Sequence, residues 1–262
     1  MKIVVCIKQV PDTTEIKIDP IKNTLVRDGV PSIVNPFDEY AMEAAIKLKE
    51  QYGGTVTVLS MGPPQAAIAL QRCVAMGADE GILISDRAVA GADTWATSFT
   101  LAKAIEKIGI PDIILCGKMA IDGDTGQVGP GIAQHLGLPQ TTYVQKIRRI
   151  KDNQAIVERA FEGGFEVIAM QLPGLIAVDK TIGEPRFPSV KGFIRSSRLQ
   201  VTVWSAADID APADKIGLDG SCTQVVQVFS PEVTVQSEIL EGDNEEELCD
   251  LLISKLQAAK VM

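Results

Sequence analysis

The chain has 262 residues, a hydrophobic content of 46% and a formal net charge of −9, which suits one large domain or two small domains with a packed core. No apolar run approaches the ~20 residues of a membrane-spanning helix. Lys2 opens a strand pattern with no signal peptide before it, so we expect a cytoplasmic protein without membrane insertion. The acidic charge argues against nucleic acid as the main partner.

Reactive side chains are scarce in this sequence. The five cysteines form no Cys-x-x-Cys pair, so the pattern predicts neither a metal site nor a disulfide framework. The single histidine, His135, lies late in a predicted helix and has no nucleophile motif beside it. We therefore predict no catalytic side chain and no metal ligand, and any redox chemistry must come from a bound cofactor.

Strands and helices alternate through the first half of the chain. Four apolar segments are typical of buried strands, at residues 2–8, 55–61, 81–85 and 113–116. Helices are predicted to begin at Asn35-Pro36, with Asn35 as the cap, at Pro63-Pro64, at Asp93 or Thr94, and near Gln127. This alternation predicts an α/β fold with a doubly wound, parallel, Rossmann-like sheet.

The pattern changes after Gly137. Four strand-like segments joined by short turns predict an antiparallel extension of the sheet, at residues 141–150, 154–161, 165–172 and 175–179. From residue 196 the chain loses compactness, and it ends in a helix striped by Leu248, Leu251, Leu252 and Leu256. We therefore predict an α/β nucleotide-binding domain with its extension at residues 1–195 and a C-terminal arm at residues 196–262. The arm packs on another subunit or, alternatively, on its own domain.

The segment after the fourth strand has the composition of a phosphate-binding loop. Backbone N–H groups at a Gly-rich helix start attract phosphate, a threonine adds a hydroxyl, and the two aspartates can accept hydrogen bonds from ribose hydroxyls or loop N–H groups. The same residue types also form ordinary structural turns, so the loop alone leaves both interpretations open. The candidate binding residues here are Asp122, Gly123, Asp124, Thr125, Gly126, Gln127, Val128, Gly129 and Pro130.

A second Gly-rich turn, Gly91-Ala92-Asp93-Thr94, also opens a helix, and Thr97 follows in its first turn. Alone, this turn resembles any helix cap. Because the carboxyl ends of parallel strands meet at one edge of a sheet, we expect it to lie beside the first loop. Two helix starts facing one crevice would suit a pyrophosphate better than a single phosphate.

A short basic stretch stands out in the acidic chain. It contains Arg186, Lys191, Arg195 and Arg198. The stretch is either a solvated loop or a docking loop for a partner protein.

Motifs in the same order along essentially the whole chain resemble those of electron transfer flavoprotein β subunits. The most specific is VERAFEGGFEVIAMQLPGLIA at residues 157–177, which fits the family signature. The others are CIKQVPD at 6–12, NPFDEYAMEAA at 35–45, MGPP at 61–64, CVAMGAD at 73–79, GKMAIDGDTGQVGP at 117–130 and EPRF at 184–187.

The resemblance implies a heterodimer with a larger, FAD-containing α subunit. In ordinary members of the family the β subunit holds AMP, and in electron-bifurcating members it holds a second FAD. Nucleotide contacts are implied at Cys6, at Asn35 to Asp38, at Met61 and at residues 122–133. Docking of a partner dehydrogenase is implied at residues 184–195, through Glu184, Pro185, Arg186, Val190 and Arg195.

Residues 86–98, DRAVAGADTWATS, together with DGDT at residues 122–125, resemble the bifurcating subgroup. The resemblance therefore implies a β subunit that binds FAD, accepts hydride from NADH, and passes electrons to ferredoxin and, through the α-subunit FAD, to a flavin dehydrogenase. That dehydrogenase would be of the acyl-CoA or 2-hydroxy-acid type. The alternatives are a non-bifurcating electron carrier that holds structural AMP, and a nucleotide-sensing regulatory domain of similar fold.

Overall fold

The computed structural model describes residues 1–12, 18–19, 24–25, 31–226 and 237–261. The chain divides into two compact units, Met1–Val226 and Gln227–Met262. The strands are β1 (Lys2–Cys6), β2 (Gln9–Pro11), β3 (Ile18–Asp19), β4 (Thr24–Leu25), β5 (Ser32–Val34), β6 (Thr55–Met61), β7 (Glu80–Ile84), β8 (Ile113–Gly117), β9 (Gln140–Lys151), β10 (Gln154–Phe161), β11 (Gly164–Gln171), β12 (Gly174–Val178) and β13 (Thr202–Trp204). The α-helices are α1 (Pro36–Tyr52), α2 (Ala67–Met76), α3 (Thr94–Ile108), α4 (Val128–Leu136), α5 (Val190–Ser197) and α6 (Glu245–Ala258).

The main sheet lies in the first unit. Among the described residues it has nine strands, in the order β11-β10-β9-β12-β8-β1-β6-β7-β13. All neighbours from β9 to β13 in this order pair in parallel, and β10 and β11 continue from β9 as an antiparallel meander. The predicted α/β fold, with a largely parallel sheet and an antiparallel extension, is confirmed.

One predicted member of the antiparallel extension was assigned wrongly. Residues 175–179 largely correspond to β12, which runs parallel between β8 and β9. The position is possible because β9 is long: its first residues pair with β12 and its later residues pair with β10. All five residues of β12 are buried, a pattern typical of a parallel strand that is covered on both faces.

Helices cover both faces of the sheet. Apolar residues of α1 and α2 pack into one core cluster, and those of α3 and α4 pack into the other. The central neighbours β1 and β8 therefore lead into helices on opposite faces, which makes their junction the switch point of the sheet. In doubly wound folds the ligand crevice lies outside the carboxyl ends of the strands at this point.

The first residues of the predicted C-terminal arm lie in the first unit. Thr202 to Trp204 pair with Ile82 to Ile84 of β7, so residues 202–204 belong to the main sheet, and the two units divide after Val226. In the second unit, the side chain of Asn244 accepts a hydrogen bond from Glu247 N and caps α6. Residues 227–236 and 262 of the predicted arm lie outside the described residues. Packing of the arm on another subunit stays a prediction.

Within the described residues, no helix has the length and apolar character needed to cross a membrane.

Candidate nucleotide-binding site

Asn35 fixes the start of the loop that follows β8. Its side-chain Nδ2 donates to Met119 O at 2.9 Å, and its Oδ1 accepts from Ile121 N at 3.1 Å. The prediction that Asn35 caps α1 was wrong in one respect: among the described residues its side chain makes no capping hydrogen bond. The amide instead joins the helix start to a loop 84 residues away in sequence.

Asp38 joins the ends of the two central strands. Its Oδ2 accepts from Lys8 N at 2.8 Å, and its Oδ1 accepts from Gly117 N at 3.0 Å. Only glycine fits opposite this carboxylate, because a Cβ atom at Gly117 would lie 2.6 Å from Asp38 Oδ1. Burial raises the pKa of Asp38 to about 7, against the opposing effect of these hydrogen bonds. Asp38 therefore positions the backbone of Lys8 and Gly117 beneath the crevice.

An ion pair crosses the switch point above Asp38. Lys8 Nζ lies 2.7 Å from Asp122 Oδ1 and 2.8 Å from Asp122 Oδ2. The Asp122 side chain is 11% exposed and the Lys8 side chain 49%, so the carboxylate is covered while the ammonium group reaches solvent. Asp122, predicted as an acceptor for ribose or loop N–H groups, has its charge neutralised by Lys8.

Lys8 was missed as a site residue. Its sequence signal was a cation directly after a buried strand, in the segment that leads into the crevice. The partner acid lies 114 residues away, and no local pattern joins the two.

The loop before α4 leaves its central residues accessible. Gly123, Asp124 and Thr125 are exposed, and Asp124 and Gly126 adopt left-handed φ values of 50° and 62°. A Cβ atom added to Gly123 would meet nothing within 4 Å among the described residues. The backbone of this loop is therefore open to a ligand.

Two glycines let the start of α4 approach its neighbours. A Cβ atom at Gly129 would lie 2.8 Å from Cys116 Sγ, and one at Gly131 would lie 2.5 Å from Ser98 Oγ. These contacts press the first turn of α4 against β8 and α3. Gly129 thus has a packing role in addition to its predicted place in the loop.

The starts of α3 and α4 lie side by side. Asp93 caps α3 by accepting a hydrogen bond from Ala96 N at 3.0 Å. Thr94 Oγ1 lies within hydrogen-bond distance of Gln127 Oε1, at 3.1 Å. The two predicted Gly-rich turns therefore meet at one edge of the sheet, where a side-chain contact joins the two helix starts.

The remaining predicted nucleotide residues lie around this edge. Cys6 is buried at the end of β1 beside Cys116 of β8, and burial raises the pKa of its thiol to about 12. Met61, at the end of β6, is half-buried, as are Ala92, Thr97, Val128 and Pro130, whereas Gly91 is exposed. The buried Cys6 supports the crevice from below, and the other residues are at least partly accessible.

The predicted docking arginines are bound within the chain. Arg186 Nε lies 2.8 Å from Glu43 Oε2, and its Nη1 lies 2.5 Å from Glu50 Oε1. Arg195 Nη2 donates to Val74 O at 2.7 Å and to Ala78 O at 2.5 Å. The two arginines anchor the segment on α1 and α2.

The outer face of the same segment is apolar. Phe187 is 90% exposed and Val190 79% exposed, and Phe193 and Ile194 are about half exposed; Glu184 is exposed and Pro185 half-buried. Phe187, Phe193 and Ile194 lie within the predicted docking range, residues 184–195, but were not among the side chains named for it. Their sequence signal was the helical spacing of residues 190, 193 and 194. We define residues 187–194 as the apolar docking face.

The parallel sheet, its switch point and the paired helix starts define an α/β domain of the type that binds nucleotides at the carboxyl edge. The family model described as the electron transfer flavoprotein domain matches residues 22–209. The chain belongs to the electron transfer flavoprotein family.

Its relatives place the chain among the β subunits of that family. It is 49% identical to the caffeyl-CoA reductase-Etf complex subunit CarD of Acetobacterium woodii and 48% identical to the electron transfer flavoprotein subunit beta of Thermoanaerobacterium thermosaccharolyticum, over the full length of each pair. It is 45% identical to the protein FixA of Azorhizobium caulinodans, over 98% of this chain and 94% of the relative. The chain is thus an electron-transfer subunit of a family whose β subunits work with an α subunit.

Proposed function

We propose that this chain is the FAD-binding β subunit of an electron-bifurcating flavoprotein that is reduced by NADH. FAD, when bound, supplies hydride acceptance and one-electron transfer. The protein's residues bind and orient it. Ferredoxin receives one electron, and a flavin dehydrogenase of the acyl-CoA or 2-hydroxy-acid type receives the other through the α-subunit FAD.

The observation that carries the proposal is the contact between Thr94 and Gln127, which joins the starts of α3 and α4. The N–H groups of a helix start attract phosphate, and the helix dipole adds partial positive charge. Two such starts side by side match the two phosphates of a dinucleotide such as FAD. A single phosphate, as in AMP, would use only one of them.

Local charge also supports an anionic ligand, although the chain carries a net charge of −9. Asp122 is neutralised by Lys8. Asp93 accepts hydrogen bonds from Ala96 and Thr223. Phosphate would therefore meet N–H groups and the exposed Lys8 ammonium, with Asp93 and Asp122 bound within the protein and Asp124 of the loop exposed.

The open backbone at Gly123 supports the fit of a bulky ligand, because a Cβ atom there would meet no described residue within 4 Å. The exposed hydroxyl of Thr125 adds a donor beside it. Positioning of a nicotinamide against a flavin requires close approach, at ~3.5 Å, and no proton donor from the protein. The sequence predicts no acid–base side chain, in agreement with this requirement.

The alternative is a non-bifurcating carrier in which this chain holds structural AMP. The segment DRAVAGADTWATS favours FAD, because it resembles the bifurcating subgroup. The similarity to a subunit of a caffeyl-CoA reductase-Etf complex supports a dehydrogenase that acts on an acyl-CoA compound as the partner. We place that dehydrogenase on the apolar docking face and the α subunit against the C-terminal unit, in a heterodimer in the cytoplasm.

The site is tested by titrating the nucleotide-depleted heterodimer with FAD and, separately, with AMP. Gly123→Val should weaken FAD binding at least tenfold, because a side chain would stand where the backbone approaches phosphate. Its effect on the folded state should be small, since the position is open. Thr125→Ala should cost ~1 kcal/mol of binding free energy. Unchanged affinity in the Gly123 variant would show that this loop is not the site.

A further inference from the structure

Asp93 does more than cap α3, because its carboxylate also holds a segment 130 residues away in sequence. Asp93 Oδ2 accepts from Thr223 N at 3.0 Å and from Thr223 Oγ1 at 3.1 Å, and Asp93 N donates to Ser221 Oγ at 2.8 Å. Burial opposes ionisation of Asp93, but the bonds from Ala96 and Thr223 hold its pKa below the usual value. We call residues 217–224 the strap.

The strap is closely seated on the turn that precedes α3. Gly91 has φ +73°, and a Cβ atom there would lie 2.8 Å from Leu218 Cγ. Gly217 has φ +58°, and a Cβ atom there would lie 2.1 Å from Ala88 O. Both positions therefore need glycine, for the backbone conformation and for the close approach. A hydrogen bond from Ser221 Oγ to Gly217 O, at 2.7 Å, closes the strap on itself.

The strap presents polar groups beside the start of α3. Cys222, Thr223 and Gln224 are exposed. A cavity of about 400 Å³ is lined by Leu218, Asp219, Ser221, Cys222, Thr223 and Gln224. Two of these residues, Ser221 and Thr223, are bound to Asp93. The cavity therefore borders the start of α3, where Thr94 contacts Gln127.

A free carboxylate at a phosphate-binding helix start would repel the phosphate. Here the carboxylate of Asp93 accepts hydrogen bonds from Ala96 N and from Thr223 N and Oγ1. This arrangement suits a residue that holds protein groups in place and does not suit a residue that contacts the nucleotide directly.

We infer that the strap is a wall of the nucleotide site and that Asp93 is the positioning residue that holds it there. With Ser221 and Thr223 bound to Asp93, the strap would present the exposed Gln224 to the phosphate end of an adenine nucleotide. The inference rests on the proposed function, since it adds residues to the same site.

Hydrogen exchange of the nucleotide-depleted heterodimer, with and without AMP or FAD, tests the inference directly. We expect amides of residues 217–224 to exchange several-fold more slowly with nucleotide, together with those of residues 122–130. Protection of 122–130 without protection of the strap would overturn the inference and leave the proposed site intact. No protection at either place would overturn both.

Variants at Thr223 separate positioning from general stability. Thr223→Val removes the Oγ1 donor and should weaken AMP and FAD binding about fivefold, whereas Thr223→Ser keeps that donor and should bind as the wild type does. The matched control is Ser205→Ala, because Ser205 donates through N and Oγ to Asp208 Oδ2 in the same pattern at another turn. Equal nucleotide affinity in Thr223→Val and the wild type, or equal losses in Thr223→Val and Ser205→Ala, would contradict the inference.

Discussion

The carboxyl edge of the sheet and the segment around α5 each bind two charged side chains within the protein, yet they expose different surfaces. At the edge, Asp38 and Asp122 hold strand ends and loops together, which leaves backbone N–H groups and hydroxyls accessible. Around α5, Arg186 and Arg195 hold the segment on α1 and α2, which leaves apolar side chains accessible. In both regions two charged residues act as anchors, and their neighbours remain accessible.

The difference between the two surfaces fits two kinds of ligand. Convergent N–H groups at helix starts favour an anion such as a phosphate. An exposed apolar face with an anchored backbone favours a protein partner. The proposed nucleotide site and the proposed docking face would thus rest on the same anchoring principle.

The largest effect on stability is expected when the anchor at the carboxyl edge, Asp38, is removed. Asp38→Ala leaves the N–H groups of Lys8 and Gly117 without their acceptor, and we expect the free energy of unfolding to fall by about 3 kcal/mol. Chemical denaturation measures the change. The control is Asp208→Ala, which removes an acceptor of similar bonds at an exposed turn and should have a smaller effect. An Asp38 variant as stable as the wild type would show that this carboxylate is not an anchor.

The next prediction concerns the apolar docking face. Phe193→Ser should weaken binding of the partner dehydrogenase about tenfold or more, because exposed aromatic residues often carry much of the binding energy, and it should leave stability nearly unchanged. Ile68→Ser is the control, since Ile68 is another exposed apolar residue, 63% exposed, on α2. The measurement is the affinity of each variant heterodimer for the partner dehydrogenase. Equal affinities for the two variants would contradict the docking role.

The Arg186 anchor gives a prediction about pH. Burial opposes ionisation of Glu43, but its bonds with Arg186 lower the pKa of Glu43 below 4.5. The folded state therefore binds this proton less tightly than the unfolded state, so the stabilisation is complete above pH 4.5 and is lost as the pH falls below it. The stability difference between the wild type and Glu43→Gln should shrink in that range. A difference that stays constant from pH 7 to pH 3.5 would contradict the anchor.

The smallest expected effect comes from Lys8, whose ion pair with Asp122 is partly exposed. Lys8→Met should lower the free energy of unfolding by less than about 1 kcal/mol. It should also weaken nucleotide binding several-fold, because the charge of Asp122 is then no longer neutralised beside the phosphate. Titration with AMP measures this, and tighter binding by the variant would contradict the assignment of Lys8 to the site.

Local signals in the sequence were sufficient for most of the parallel sheet. Pro36 at the start of α1, the Gly-rich turns before α3 and α4, and the apolar strands each follow from propensities of neighbouring residues. The position of β12 was not predictable in this way. It lies between β8 and β9 because β9 is long enough to pair with both β12 and β10, and because both faces of the sheet are covered there.

Two of the predicted site residues have long-range partners. Arg186 is bound to a glutamate 143 residues away, and Asp93 to a threonine 130 residues away. A sequence pattern shows that such residues are charged, but it does not show which charges are already paired in the fold. Exposed neighbours such as Phe193 could have been found from helical spacing alone.

The central proposal is that this chain holds FAD at the carboxyl edge and receives electrons from NADH there. The most direct test counts flavin and adenine nucleotides released from the purified native heterodimer and follows rapid reduction by NADH. We predict two FAD per heterodimer, with loss of NADH reduction in Gly123→Val while the α-subunit flavin stays bound. One FAD together with one AMP, or NADH reduction unaffected by loss of the second flavin, would contradict the proposal.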